Sequence, residues 1–132
     1  MNTMDNITEA MLRENHSEMV RNLAKPGKEI EQSLTNADCH AIHMIMGVAG
    51  EVGELLDAIK KSVIYRKPLD MENVIEELGD IEFYLEGLRQ GLLITRESTL
   101  VSNLNKLLTG ENARYASGEY SNEQAQDRAD KQ

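Results

Sequence analysis

Between Ala41 and Val63 the apolar residues Ala41, Met44, Ile45, Val48, Val52, Leu55, Leu56, Ile59 and Val63 return every three or four positions. That is the period of a helix with one apolar face. The stretch from Tyr65 to Leu69, with Pro68 inside it, breaks the pattern, and Asp70 offers a capping carboxylate. The period then resumes at Met71, Val74, Ile75, Leu78, Ile81, Leu85 and Leu88. So short a connection makes two long helices fold back on one another. The expected centre of the chain is an antiparallel hairpin. One helix runs from a cap at Thr35 or Asn36 to about Ile64, and the other from Met71 to Gly91.

The flanking segments extend this into an all-α helical bundle of four main helices. A first helix is expected from Asp5 to Leu23, with Ile7, Met11, Met19 and Leu23 at helical spacing and His16 on its surface; it stops before Lys25-Pro26-Gly27. A polar connection leads from there to the hairpin. After it, Thr95 caps a fourth helix carrying Leu100, Val101, Leu104, Leu107 and Leu108, which ends at Gly110. Residues 1–110 then form one domain, and residues 111–132 a polar C-terminal extension in which Ser121 can cap a short helix. With no Trp, one Phe and 4% aromatic residues, the core must be aliphatic, which suits helix packing. At 132 residues a single domain is near the size at which association usefully hides apolar surface.

The charge balance narrows the partners. A net charge of −9 opposes non-specific binding to nucleic acid or to an anionic membrane. No apolar run reaches the length of a membrane span, no charged-then-apolar leader opens the sequence, and Cys39 is the single cysteine. The expectation is a soluble cytoplasmic protein.

Against that background the hairpin carries two acidic pairs, Glu51 with Glu54 and Glu77 with Asp80. Residues three apart share a helix face, and antiparallel packing lets the two faces meet. Converging carboxylates repel, and a divalent cation is the simplest counterweight. Magnesium prefers oxygen ligands and is commonly held by carboxylates together with substrate phosphates, so such a cage predicts hydrolysis at phosphorus. Gly47, Gly50 and Gly53 interrupt the same helix, each at a cost of about 1 kcal/mol relative to Ala. Either a close helix contact or room for a ligand accounts for them. A ferritin-like di-iron site needs Glu-x-x-His, which is absent, and zinc at His40 and His43 has no third ligand. Ordinary solvated carboxylates remain an open reading of the same residues.

The motif detail adds a family resemblance. Glu51-x-x-Glu54 and Glu77-x-x-Asp80, the G-E-V-G-E-L glycines, the D-A-I-K-K continuation and E-E-L-G-D followed by Tyr84 resemble the all-α nucleoside triphosphate pyrophosphohydrolases, the MazG-like superfamily. Asn103-x-x-Lys106, Arg114-Tyr115 and the run to Arg128 are similar to the C-terminal segment of short stand-alone members. Relatives often use a shorter link after the lysine and a proline after the Arg-Tyr pair, where this chain has Leu107 to Ala113 and Ala116.

The resemblance implies hydrolysis of a (deoxy)nucleoside triphosphate to the monophosphate and pyrophosphate. Glu51, Glu54, Glu77 and Asp80 would hold Mg²⁺, with Mn²⁺ able to substitute, and Glu54 or Glu51 would also handle the attacking water. Lys60, Lys61, Lys106, Arg114 and Arg128 are the candidates for the outer phosphates, with the C-terminal extension closing over them. His43 and Tyr84 are the candidates for the nucleoside. A homodimer or homotetramer, and a lean towards purine substrates such as dGTP or dATP, are also implied. The alternative is a helical regulatory module that binds metal or nucleotide without turnover.

Overall fold

The computed structural model describes residues 8–131, and every regular element among them is helical. The chain divides into two units, residues 1–35 and 36–132. The first contains α1 (Glu9–Leu23) and α2 (Gly27–Ser33), with none of their residues buried. Thr8 caps α1 by accepting a hydrogen bond from the Met11 amide. Asp5 to Ile7, which the sequence reading gave to this helix, lie outside the described residues. Helix α2 replaces part of the expected polar connection. Pro26, at φ −60°, starts it with the dihedral that its ring already fixes.

The second unit is built on α3 (Asn36–Val63) and α4 (Met71–Leu92). Asp70 caps α4 as expected, accepting from the Asn73 amide. The register of the hairpin follows from its small residues. A side-chain carbon added at Gly91 would meet His40, one at Gly87 would meet Met44, and one at Gly47 would press into the Tyr84 ring. Each step forward on α3 is thus matched by a step back on α4. Continuing that register brings Glu51 opposite Asp80 and Glu54 opposite Glu77.

Met44 and Ala58 on α3 and Val74 on α4 are buried. The expected apolar stripes are wider than the strip a single partner covers. Ile45, Val52, Leu56, Ile59 and Val63 on α3, and Met71, Ile75 and Leu78 on α4, all stay exposed. Helical periodicity marks which residues share an apolar face, and the number of partners around that face decides which of them lose contact with water.

Helix α5 (Arg96–Leu104) is capped by Thr95 and runs on into a π-helical turn, Asn105–Thr109, closed by a bond from the Gly110 amide to the Asn105 carbonyl. The Arg114 and Tyr115 amides donate to the carbonyls of Lys106 and Leu107 at 3.0 and 2.8 Å. Those bonds fold the C-terminal segment back onto the turn and bury Ala113. Ser121 caps α6 (Asn122–Asp127), and a 3₁₀ turn, Ala129–Lys131, follows.

Candidate active site

Two helical turns facing one another across the hairpin bring three carboxylates together. Glu51, Glu77 and Asp80 each offer an oxygen, and the three oxygens lie within 4.8 Å of one another. Glu77 is the buried member, only 9% exposed. Burial pushes its carboxyl above the usual carboxylate range; a hydrogen bond with Glu51 and the charges of Glu51, Glu54 and Glu76 push it further. A group this short of water and ringed by like charge is stabilised by a proton or by a cation. An all-oxygen donor set from carboxylates suits a hard divalent ion such as magnesium better than one that favours sulfur or imidazole.

Glu54 stands outside that trio. It is exposed, and its charge reaches both Glu77 and Lys61. Further along α3, Asp57 takes Lys60 at 3.1 Å on one oxygen and Lys61 at 2.7 Å on the other. The two ammonium groups hold Asp57 below the usual carboxylate range. Tyr84 is half-buried over Gly47, and the exposed His43 meets its ring edge-on with centroids 6.3 Å apart.

The remaining cations proposed from sequence gather around a residue that sequence reasoning passed over. Arg114 forms a two-pronged ion pair with Asp130, Nε to Oδ1 at 2.7 Å and a terminal nitrogen to Oδ2 at 3.0 Å. Lys106 and Arg128 stand 3.9 and 3.8 Å from the same carboxylate, whose side chain is 2% exposed. Arg114 holds Asp130 down to about 2, with the charge of Arg128 helping. Nothing in the sequence distinguishes Asp130 from the other acidic residues of a polar tail; Arg128 is its neighbour two residues back, whereas Lys106 and Arg114, joined to one another by the fold-back, reach it only through the tertiary structure.

A second omission lies on the hairpin itself. His40, Met44, Phe83, Glu86, Gly87 and Gln90 line a cleft of about 400 Å³. His40 donates its Nε2–H to the Gly87 carbonyl at 2.9 Å, and no histidine joins a candidate metal cluster among the described residues. The hairpin register would have revealed this cleft, because it sets the two small residues Gly87 and Gly91 against Met44 and His40.

The MazG nucleotide pyrophosphohydrolase domain matches residues 40–107, which span the hairpin, the three carboxylates and the start of the π turn. The chain belongs to the MazG family. Membership implies nucleotide pyrophosphohydrolase chemistry, and the metal dependence of MazG enzymes fits the carboxylate cluster described above. Neither the curated proteins nor the solved structures give a significant match to this chain.

Proposed function

We propose that this MazG chain hydrolyses a (deoxy)nucleoside triphosphate between its α and β phosphates. The observation that carries the reading is the convergence of Glu51, Glu77 and Asp80 from facing turns of the hairpin inside the matched segment. Those three carboxylates, with Glu54 at their rim, are the residues that would hold magnesium. Once held there, magnesium supplies neutralisation of charge on the phosphoryl oxygens and a lowered pKa for water.

The chain's own residues do the rest. Glu54 is exposed beside the cluster and interacts electrostatically with Glu77, so it is suited to orient the attacking water and accept its proton. As the new bond to the α phosphorus forms, the bond from that phosphorus to the bridging oxygen breaks, and pyrophosphate leaves with the electron pair. Lys60 and Lys61, steered by Asp57, are positioned to attract the outer phosphates of an otherwise acidic chain. In the C-terminal segment Lys106, Arg114 and Arg128 form a second cationic group, and Asp130 fills it until a more highly charged phosphate competes. His43 and Tyr84, in edge-on ring contact, would meet the nucleoside.

The exposed apolar stripes of α3 and α4 support assembly as a homodimer or homotetramer. No helix among the described residues is long and apolar enough to cross a membrane, and nucleotide substrates fit a cytoplasmic protein. The test is a panel of canonical dNTPs and NTPs with magnesium, read by pyrophosphate release. Monophosphate and pyrophosphate are expected, with purine deoxynucleotides among the better substrates and activity lost in Glu54→Gln and Asp80→Asn. Release of nucleoside diphosphate and orthophosphate would refute the reaction. Calorimetric binding of nucleotide or metal with no product after long incubation would instead favour a non-catalytic module.

A further inference from the structure

Three kinds of chemistry lie in sequence along one flank of the hairpin. Phe83 and Gly87 follow Asp80 by three and seven residues, so all three share a stripe of α4. On α3 the stripe through Glu54 continues to Asp57 and Lys61 by the same spacing. From one end of the flank to the other come the cleft at Gly87, the carboxylate cluster, and the Asp57–lysine group. Seven helical residues separate Gly87 from Asp80, about 10 Å along the axis. That is the reach from a nucleotide's α phosphate across its sugar to its base.

The cleft is furnished for a flat aromatic ring with a polar edge. Phe83, the chain's one phenylalanine, is 67% exposed at the cleft, and its ring is braced edge-on by Tyr84 with centroids 5.2 Å apart. An exposed ring held in this way is a stacking platform. Met44 closes the apolar floor against Gly87. The polar side is Glu86, which receives Gln90 Nε2 on Oε1 at 3.1 Å and Arg89 Nε on Oε2 at 3.0 Å. Those bonds orient the carboxylate and hold it below the usual range, so it is an acceptor only. A carboxylate has about four lone-pair sites, and each Glu86 oxygen keeps one beyond the bond it already accepts.

Base chemistry then discriminates. Guanine sets two donors side by side, N1–H and the exocyclic 2-amino group. Adenine and cytosine place an acceptor ring nitrogen beside their amino group, and thymine flanks its one N–H with two carbonyls. An ionised carboxylate is matched by the guanine edge and repelled by the acceptors of the others. The geometry points to the His40–Met44–Phe83–Glu86–Gln90 cleft as the base subsite, stacking the ring on Phe83 and selecting guanine through Glu86. The second amide hydrogen of Gln90 completes the match by donating to guanine O6.

This assignment rests on the nucleotide reading above, and its test separates the two. The full chain is titrated calorimetrically with dGMP, dIMP and dAMP, where dIMP is guanine's analogue without the 2-amino group. Binding of dGMP about tenfold or more tighter than dIMP or dAMP is expected. Glu86→Gln should erase that gap, whereas Phe83→Ala should weaken all three about equally. Equal binding of dGMP and dIMP, a gap that survives Glu86→Gln, or no binding of dGMP at millimolar concentration each overturns the assignment. The same variants are assayed for kcat/KM on dGTP, dITP and dATP. If no triphosphate is cleaved but dGMP binding keeps its Glu86-dependent gap, the hydrolase reading falls and the subsite stands. If triphosphates are cleaved with no Glu86-dependent preference for guanine, the subsite falls and the hydrolase stands.

Discussion

Substituting the three glycines of α3 one at a time tests the hairpin packing directly. Alanine in place of a glycine inside a helix gains about 1 kcal/mol from backbone propensity. At Gly50 and Gly53 the added carbon meets nothing within 4 Å, so each substitution should keep that gain. At Gly47 the carbon would enter the space of Tyr84 Cγ, Cδ1 and Cε1. The ring is hemmed in by His43 on one edge and Phe83 on another, so the helices must part or the ring must leave its position. Overpacking of this kind costs about 1–3 kcal/mol. Set against the propensity gain, Gly47→Ala should destabilise the fold by about 1 kcal/mol and differ from the other two by about 2 kcal/mol. For a chain of this length 1 kcal/mol moves Tm by about 3–6 °C. Thermal unfolding followed by circular dichroism at 222 nm, at one fixed protein concentration because association also shifts Tm, should place Gly47→Ala below wild type and the other two above it. A Gly47→Ala protein that melts as high as Gly50→Ala would refute the close approach, and with it the register that brings Glu51 to Asp80.

Other expectations follow from the charges and caps. Because the folded chain raises Glu77, stability without a divalent ion should fall as pH rises through its titration, and adding Mg²⁺ should raise Tm; Glu77→Gln should remove both the fall and the gain, each measured by scanning calorimetry. Asp130 is held at about 2 against an ordinary 3.8, so the folded state binds fewer protons between those values. The stability it contributes should be complete above about pH 4 and fade as pH drops through 2, and a melting series from pH 5 to 2 should show a shallower decline in Asp130→Asn. Leu93 closes α4 in the left-handed conformation at φ 57° and is 93% exposed, so Leu93→Gly should relieve about 1 kcal/mol of strain, seen as a higher urea midpoint, with no apolar burial lost.

Much of the chain's architecture was legible because it is written in neighbouring residues. Asp70, Thr95 and Ser121 each bond an amide three residues on, so caps and helix starts follow from local chemistry. The motif around Glu51 and Asp80 was legible for the same reason, since helical spacing turns sequence distance into a shared face. Helix α2 was missed because Lys28 to Gln32 read as a polar connection, and only the start at Pro26 distinguishes it from one. The periodicity of Met71, Val74, Ile75 and Leu78 predicts a buried stripe on α4, yet Met71, Ile75 and Leu78 stay exposed. A sequence position states a preference for burial, whereas burial itself requires a partner surface.

By itself, then, the sequence determined the hairpin, the Asp70 cap of its second helix and the spacing of Glu51 with Glu54 and of Glu77 with Asp80, because each depends on contacts within a turn or across a short loop. Tertiary structure decided the rest. It made Glu77 the buried carboxylate and left Glu54 at the rim, and it spent Gly47 on Tyr84 while leaving Gly50 and Gly53 open. It also gathered Lys106, Arg114 and Arg128 on Asp130, and opened a cleft between Met44 and Glu86. Each of these joins residues whose separation along the chain says nothing about their separation in space. The register of α3 on α4, or the fold-back onto the π turn, had to exist before they could meet.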